Sequence, residues 1–336
     1  MSIQRFAIAL GLSVFALTPA LAADPVNLEA AKKEGRVVWY TSTPIEQAQA
    51  IAKMFEADTG IKVELFRSGG SAILRRFLQE TSAGRFAVDV MTHSDPAAAA
   101  ALTKKGLFVP FKPENFDKIP DAAKDANGHY IAQRLNIMTI YMRTDLVKPE
   151  DRPKTWSDLL DTKYKGRLVM TDPSFTSLQL TVVGSISKER GWGFYEKLRA
   201  NNIMIVPGNQ QVSAAIKSGE RHLAVGALDS YAAADRRSGH QITTVFPSEG
   251  TYVIPSPTAV IKGSPNPNAA KLFAQYMIGD KAQKLFPATG GYSARIDIDP
   301  PAGSPPVKDI KLLNVDYDFL EKAGAGIKRR FNEIFQ

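Results

Sequence analysis

Residues 61–77 read Ile-Lys-Val-Glu-Leu-Phe-Arg-Ser-Gly-Gly-Ser-Ala-Ile-Leu-Arg-Arg-Phe, and this stretch decides the fold. An alternating apolar run predicts a strand that ends near Phe66; the turn Ser68-Gly69-Gly70-Ser71 follows, and a helical pattern begins directly after it. Such a unit directs backbone N–H groups and the positive end of a helix dipole at one place, which suits an anion. Glycine lets a ligand approach the backbone closely. The alternative is an ordinary helix start, in which Ser68 or Ser71 caps the helix and the glycines form a tight turn.

The rest of the chain repeats this alternation of short β-branched runs and amphipathic helices, which is typical of an α/β protein. Two long extended runs, near residues 134–143 and 250–261, have the form expected of strands that cross between two lobes. A further helix is expected over residues 316–335, packed on the first lobe. We predict a first lobe from 23–135 and 255–336 and a second from 136–254. Each is a mixed sheet flanked by helices, with a cleft between them.

The first residues predict export. A basic start through Arg5 precedes an apolar run, and Ala20-Leu21-Ala22 matches a small-x-small cleavage site. The run is shorter than the roughly 20 apolar residues that span a bilayer. We expect a signal peptide over residues 1–22, cleavage near Ala22 and a periplasmic location. The sequence has no cysteine, which excludes a lipid anchor through Cys, disulfides and Cys-ligated zinc.

The balance of charge is basic, with a formal net charge of +8 at pH 7. Such a balance favours acidic partners, either nucleic acid or anionic solutes. The basic residues are scattered in short pairs, however, and no basic stripe with interleaved aromatic residues is present. We therefore predict no nucleic-acid binding and interpret most of the charge as a solvated surface.

No pattern in the sequence indicates catalysis. The four histidines, at positions 93, 129, 222 and 240, are isolated and lack metal-ligand spacing. Neither a Gly-x-Ser-x-Gly elbow nor a Gly-x-x-x-x-Gly-Lys phosphate loop occurs. We predict a monomeric, non-enzymatic protein that needs no cofactor. Scattered carboxylates leave an exported two-acid hydrolase as an alternative.

Small hydroxyl residues and carboxylates follow five of the predicted strands. Each group alone resembles a routine helix cap. Because strand ends in α/β sheets meet at one edge, such groups from two lobes can surround an anion and donate many hydrogen bonds to it. We predict a ligand-binding set formed by Thr41, Ser42, Ser68, Gly69, Gly70, Ser71, Ser94 and Asp95 in the first lobe, and by Asp172, Ser174, Thr176, Ser177, Asp229 and Tyr231 in the second.

A series of short segments runs through nearly the whole mature chain in a specific order. The segments are Val38-Trp39-Tyr40-Thr41-Ser42, Phe66-Arg67-Ser68-Gly69-Gly70-Ser71, Phe86-Ala87-Val88-Asp89-Val90, Tyr141-Met142-Arg143-Thr144-Asp145-Leu146, Thr155-Trp156-Ser157-Asp158-Leu159, Lys165-Gly166-Arg167, Pro247-Ser248-Glu249-Gly250-Thr251 and Lys262-Gly263-Ser264-Pro265-Asn266-Pro267. In this series the chain resembles the periplasmic solute-binding proteins of ABC importers (extracellular solute-binding family 1), in the branch that includes ferric-binding, phosphonate-binding and sugar-phosphate-binding proteins. The resemblance implies a type II two-lobed fold that closes by a hinge around a solute in the cleft. It also implies docking on a membrane permease.

The chain departs from the ferric-binding members of this family. Those relatives carry two adjacent tyrosines where this chain has Ser230-Tyr231-Ala232, and a histidine or further tyrosine where residues 41–44 stand. Fe³⁺ prefers several phenolate or carboxylate oxygens as ligands, and Tyr231 and Asp229 together supply few such oxygens. The relatives' anion-holding loop matches Ser174, Thr176 and Ser177.

We therefore predict a small anionic or zwitterionic organic solute, namely a phosphonate, phosphate ester or carboxylate, and keep ferric iron as the alternative. The aspartates at positions 95, 172 and 229 suggest a ligand amine or hydroxyl, or else they cap helices. Tyr231 either contacts the ligand or packs at the rim of the cleft.

Overall fold

The computed structural model describes residues 23–336, so the predicted signal peptide and its cleavage site near Ala22 lie outside the described residues. Over this part of the chain there are eleven strands and eleven α-helices. The strands are β1 (Arg36–Thr41), β2 (Lys62–Arg67), β3 (Val90–Thr92), β4 (Phe108–Val109), β5 (Ile131–Arg143), β6 (Leu168–Thr171), β7 (Met204–Val206), β8 (Leu223–Leu228), β9 (Ile242–Val245), β10 (Tyr252–Ile261) and β11 (Tyr292–Ser293). The helices are α1 (Leu28–Glu34), α2 (Ile45–Thr59), α3 (Gly70–Ser82), α4 (Pro96–Lys104), α5 (Ser177–Arg190), α6 (Gly193–Ala200), α7 (Asn209–Lys217), α8 (Asp229–Arg237), α9 (Pro267–Met277), α10 (Asp280–Ala288) and α11 (Tyr317–Phe335).

The main path of the sheet has the strand order β2-β1-β3-β10-β5-β8-β6-β7. At one end β1 pairs in parallel with β2 and β3, and at the other end β6 pairs in parallel with β7 and β8. These two parallel sets, with the helices that follow their strands, form the two halves of the molecule. The α/β fold with mixed sheets is therefore confirmed.

Two long antiparallel strands, β5 and β10, connect the halves. β10 pairs with β3 and β4 of the first half through residues 258–261 and with β5 through residues 252–258. β5 continues into the second half, where it pairs with β8 and β9. These strands match the extended runs predicted near 134–143 and 250–261, and their length follows from each strand serving both halves.

Each half has its own apolar core. In the first half Trp39, Phe55 and Phe273 are fully buried, and the ring of Phe273 meets those of Trp39 and Phe55 edge to face at 5.2 and 4.9 Å. In the second half the fully buried Trp156 and Tyr195 belong to a cluster that extends across α5 and α6. Burial of each such side chain contributes about 1.5–3 kcal/mol, so both halves carry their own stability.

The C-terminal helix α11 departs from the prediction. It packs on α5 and α6 of the second half and also on α4 of the first, so the expectation that it packs on the first lobe holds only in part. Gly184 of α5 provides the space, since a Cβ there would lie 2.3 Å from Leu320 Cδ2 and 3.0 Å from Ile327 Cδ1 of α11. The lobe boundaries at 135/136 and 254/255 stay a prediction. None of the helices in residues 23–336 is both long enough and apolar enough to cross a membrane.

Candidate functional site

A cavity of about 80 Å³ lies where strand ends from the two halves meet. The first half lines it with the segments that follow β1, β2 and β3, and the second half with the β6–α5 connection and the start of α7. The connecting strand β5 contributes Arg134. Since open α/β sheets bind ligands at the carboxyl ends of their strands, this cavity is the candidate site.

Half of the predicted ligand-binding residues line this cavity, namely Ser42, Gly69, Gly70, Ser94, Thr176, Ser177 and Tyr231. The other half lie outside its lining, namely Thr41, Ser68, Ser71, Asp95, Asp172, Ser174 and Asp229. The lining also contains residues that the sequence reasoning missed, chiefly Arg67, Arg134, Phe175, Gly208, Asn209 and Gln211. Contact of individual residues with a solute stays a prediction.

The three predicted aspartates are engaged within the protein. Asp95 caps α4 by accepting a hydrogen bond from the backbone N–H three residues later, at 3.0 Å. Asp172 accepts one from the backbone N–H two residues later, at 2.6 Å. Asp229 is fully buried, accepts a hydrogen bond from the Thr244 hydroxyl, and has its pKa raised by burial. The carboxylates of Asp95 and Asp172 therefore serve local structure, whereas the second oxygen of Asp229 is buried without a hydrogen-bond partner in the described residues.

The Gly69-Gly70 turn is pressed against the opposite half of the molecule. A Cβ at Gly69 would lie 2.5 Å from the backbone oxygen of Phe175, and a Cβ at Gly70 would lie 2.5 Å from Ser177 Oγ. Ser177 Oγ also donates a hydrogen bond to the backbone oxygen of Ser94, at 3.0 Å. The two halves are thus closed on each other, and glycine is required because there is no space for a side chain.

The start of α3 decides between the two interpretations of this turn. The helix begins at Gly70 with Gly69 as its N-cap, and no side chain caps it. The alternative of a Ser68 or Ser71 cap is therefore wrong. No side chain in the described residues caps the first N–H groups of α3, and Gly70, where the helix begins, belongs to the cavity lining. The φ of Gly69 is −66°, which any residue can adopt, so close packing rather than backbone conformation explains this glycine.

Arg134 is the dominant charge of the site. Arg134 lies in β5 and is only 3% exposed, and its Nε has no hydrogen-bond partner in residues 23–336. Its one polar contact among the described residues is a long hydrogen bond of 3.4 Å from Nη2 to Ser94 Oγ. Burial lowers the pKa of Arg134 to about 9, opposed by Tyr231 and reinforced by Arg67. The guanidinium is still charged at pH 7, and within residues 23–336 it forms no ion pair with a carboxylate.

A second cation, Arg67, reaches the same cavity from the end of β2. Its Nε donates to the backbone oxygen of Thr43 at 3.2 Å, and no carboxylate in the described chain pairs with it. Both arginines left a signal in the sequence. Arg67 directly precedes the serine–glycine turn, and Arg134 lies within a buried strand, where a charged residue is rare unless something compensates it.

Tyr231 brings a phenol to the cavity from the first turn of α8. Burial raises its pKa, and the nearby Arg67 and Arg134 oppose that rise. Across the described residues, His, Cys, Asp and Glu form no group of three or more that could hold a metal ion. With two cations and a set of hydroxyl and amide groups, the cavity has the chemistry of an anion site.

Comparison with known proteins places the chain in a family. A model of the bacterial extracellular solute-binding proteins matches residues 50–309. The chain belongs to this family. A similar relative is a putative 2-aminoethylphosphonate-binding periplasmic protein of Salmonella typhimurium, which is 27% identical over 315 residues, or 89% of this chain and 87% of the relative.

Solved structures of binding proteins have the same fold. Iron-bound HitA from Pseudomonas aeruginosa matches with a TM-score of 0.76 at 20% identity, over 88% of this chain and 99% of HitA. AfuA from Actinobacillus pleuropneumoniae, with exogenous fructose-6-phosphate bound, matches with a TM-score of 0.76 at 22% identity, over 90% of this chain and 96% of AfuA. The fold is thus that of a two-lobed periplasmic binding protein, as predicted. As a member of this family, the protein is a periplasmic solute-binding component of an ABC transporter and not an enzyme. The alternative of an exported hydrolase is therefore excluded.

The unpaired charge of Arg134 predicts an effect on stability. We expect Arg134→Met to raise the free energy of unfolding of the ligand-free protein by about 1 kcal/mol, because a buried charge without a partner is costly and a binding site often sacrifices stability. Urea unfolding measures the change. The control is Arg143→Met on the same strand, where the guanidinium pairs with Asp145 at 2.6 Å and donates to the Lys217 backbone oxygen at 2.7 Å. The control variant should lose stability; a similar loss in both variants would contradict the interpretation.

Proposed function

We propose that this protein captures a small organic oxyanion, with a phosphonate, phosphate-ester or carboxylate group, and delivers it to the membrane permease of an ABC importer. The observation that carries the proposal is Arg134, a buried cation that faces the cavity without an acidic partner. An anionic group of a solute supplies the missing counter-charge. We further propose that the protein acts as a monomer.

The oxyanion is held by donors from both halves. The guanidinium of Arg134 offers a free Nε–H beside its Nη groups, and such a fork matches the oxygens of a carboxylate or phosphoryl group. Arg67 adds a second positive charge from the first half, and hydroxyls such as Ser42 and Thr176 lie in the same lining. The start of α3 contributes uncapped N–H groups.

The size of the closed cavity limits the solute. The cavity volume is about 80 Å³. An apolar cavity of about 150 Å³ is large enough for benzene. The site as closed therefore accommodates an oxyanion with a short tail, and a longer tail has to pass beside Gln210, an exposed residue that also belongs to the lining.

Closure follows from the connection between the halves. β5 and β10 join the halves, and Arg134 belongs to β5, so the central cation stays near the hinge while the Gly69-Gly70 turn and Ser177 meet from opposite sides. A solute that contacts both sides favours the closed form by its differential affinity for that form.

Ferric iron remains the second candidate because Tyr231, a phenol of the kind Fe³⁺ prefers, lines the cavity. Two features weigh against it. The site lacks the additional carboxylate or phenolate oxygens that a hard trivalent ion needs, and the two guanidinium groups beside Tyr231 repel a cation. The anion is therefore the preferred ligand.

A thermal-shift panel tests the choice between anion and metal. We expect inorganic phosphate, small phosphonates, phosphate esters or small carboxylates to raise the Tm, and ferric salts alone to leave it unchanged. At about 100 times the Kd the stabilisation is about 2.7 kcal/mol, which corresponds to a rise of about 4 °C for a chain of this size. Arg134→Gln should abolish the shift, while Arg143→Gln on the same strand should keep it. A response to ferric salts alone would overturn the proposal.

The closed contact at Gly70 gives a second prediction. Gly70→Ala should weaken solute binding at least tenfold in calorimetric titration, since its Cβ would lie 2.5 Å from Ser177 Oγ. The added Ser177→Ala change removes that oxygen and leaves Ser177 Cβ as the next atom, 3.6 Å away, so the double variant should regain part of the affinity. In Gly69→Ala the new Cβ would lie against the backbone oxygen of Phe175, so the added Ser177→Ala change should not restore the affinity of that variant. Equal affinities of Gly70→Ala and the unmodified protein would show that closure does not need this contact.

A further inference from the structure

Besides the two arginines, the polar side chains of the cavity lining are neutral. Within the described chain, no Asp or Glu belongs to that lining. Asp95 caps a helix and Asp172 forms a turn. Asp229 has one oxygen bonded to Thr244 and the other buried without a hydrogen-bond partner in residues 23–336, but it lies outside the lining. Glu46, which acts electrostatically on Tyr231, is exposed at the start of α2. The site therefore offers no carboxylate to a positively charged group of a solute.

Asn209 is the lining residue with an acceptor that nothing satisfies. It is the first residue of α7, directly after Gly208, and its Oδ1 is buried with no hydrogen-bond donor in the described part of the chain. A buried acceptor left unpaired destabilises the protein, because it has lost its hydrogen bonds to water. Two other lining atoms are also buried and unpaired, Ser42 Oγ and Arg134 Nε, and both can donate to an oxyanion. Of these three unpaired atoms, Asn209 Oδ1 is the one that can only accept a hydrogen bond.

Packing places the start of α7 close to the contact between the halves. A Cβ at Gly208 would lie 3.3 Å from Phe175 Cε1, and the same ring atom would lie 2.8 Å from a Cβ at Gly69. The ring of Phe175 therefore stands between the glycine turn of the first half and the helix that begins with Asn209. Asn209 therefore lines the same small cavity as Arg67 and Arg134.

We propose that Asn209 is a specificity-determining residue that accepts a hydrogen bond from a hydroxyl on the tail of the solute, so that the site selects hydroxyl-bearing oxyanions over ammonium-bearing oxyanions of the same shape. The inference rests on the proposed function. A hydroxyl both donates and accepts, so it pairs with an amide without adding charge. An ammonium group loses its water next to two guanidinium groups and finds no carboxylate to compensate it.

A pair of nearly isosteric ligands tests this selection on the full mature protein. 2-Hydroxyethylphosphonate and 2-aminoethylphosphonate differ in one group, a hydroxyl against an ammonium. We expect calorimetric titration to give at least tenfold tighter binding of the hydroxyl compound, with ethylphosphonate, which has neither group, weaker than the hydroxyl compound. Equal binding of the two, or tighter binding of the amine, would overturn the inference.

A charge introduced at Asn209 should reverse the preference. Asn209→Asp keeps the shape and suits the first turn of a helix, where a negative charge is favourable. We expect it to strengthen binding of 2-aminoethylphosphonate at least tenfold and to weaken binding of 2-hydroxyethylphosphonate. The matched control is Ala214→Glu, which adds the same charge to the exposed face of α7 outside the cavity lining and should leave both affinities unchanged. An unchanged preference in Asn209→Asp would mean that Asn209 does not contact the tail.

The proposed function and this inference fail in different ways. If both phosphonates bind equally and Arg134→Gln abolishes both, the oxyanion site stands and the role of Asn209 is wrong. If inorganic phosphate, both phosphonates and small carboxylates all fail to bind the unmodified protein, the proposed function is wrong and the inference falls with it.

Discussion

The buried, unpaired guanidinium of Arg134 is the constraint on which the rest of the site depends. Removing a charge from water is costly, and a folded protein normally compensates it with a carboxylate. Here the carboxylates near the cleft cap a helix, form a turn or bond to a threonine. The other charged side chain that acts on Arg134 is a second cation, Arg67. The protein thus keeps an electrostatic deficit that an anionic solute can satisfy. Stability and function are opposed at this position.

The closure of the two halves is coupled to the unpaired charge of Arg134, because that residue lies between them. The connecting strands β5 and β10 place Arg134 between the halves, and the Gly69-Gly70 turn lets the second half approach to contact distance. The C-terminal helix α11 lies across helices of both halves, which adds a further connection besides the strands. In the proposed function an anion is enclosed from several directions, and the closed form of the protein is the one that a permease distinguishes from an open form.

The parts of this architecture that depend on local sequence were predictable. The hydrophobic pattern predicted the C-terminal helix over residues 316–335, against Tyr317–Phe335 in the structure, and located the long crossing strands. The glycine pair was correctly singled out, but its reason is non-local, since only the position of Ser177 and Phe175 explains why a side chain cannot fit. The packing of α11 and the isolation of Arg134 likewise depend on distant residues. The aspartates were misleading because a cap and a ligand contact have the same sequence pattern and differ only in where the side chain points.

A crystal structure of the protein with a bound phosphonate, recorded with diffraction data at the iron absorption edge, tests the central claim most directly. The account predicts closed lobes with the phosphonate oxygens within hydrogen-bond distance of the Arg134 guanidinium, and no anomalous signal at Tyr231. An iron ion coordinated by Tyr231, or a phosphonate bound elsewhere with Arg134 left uncontacted, would contradict it.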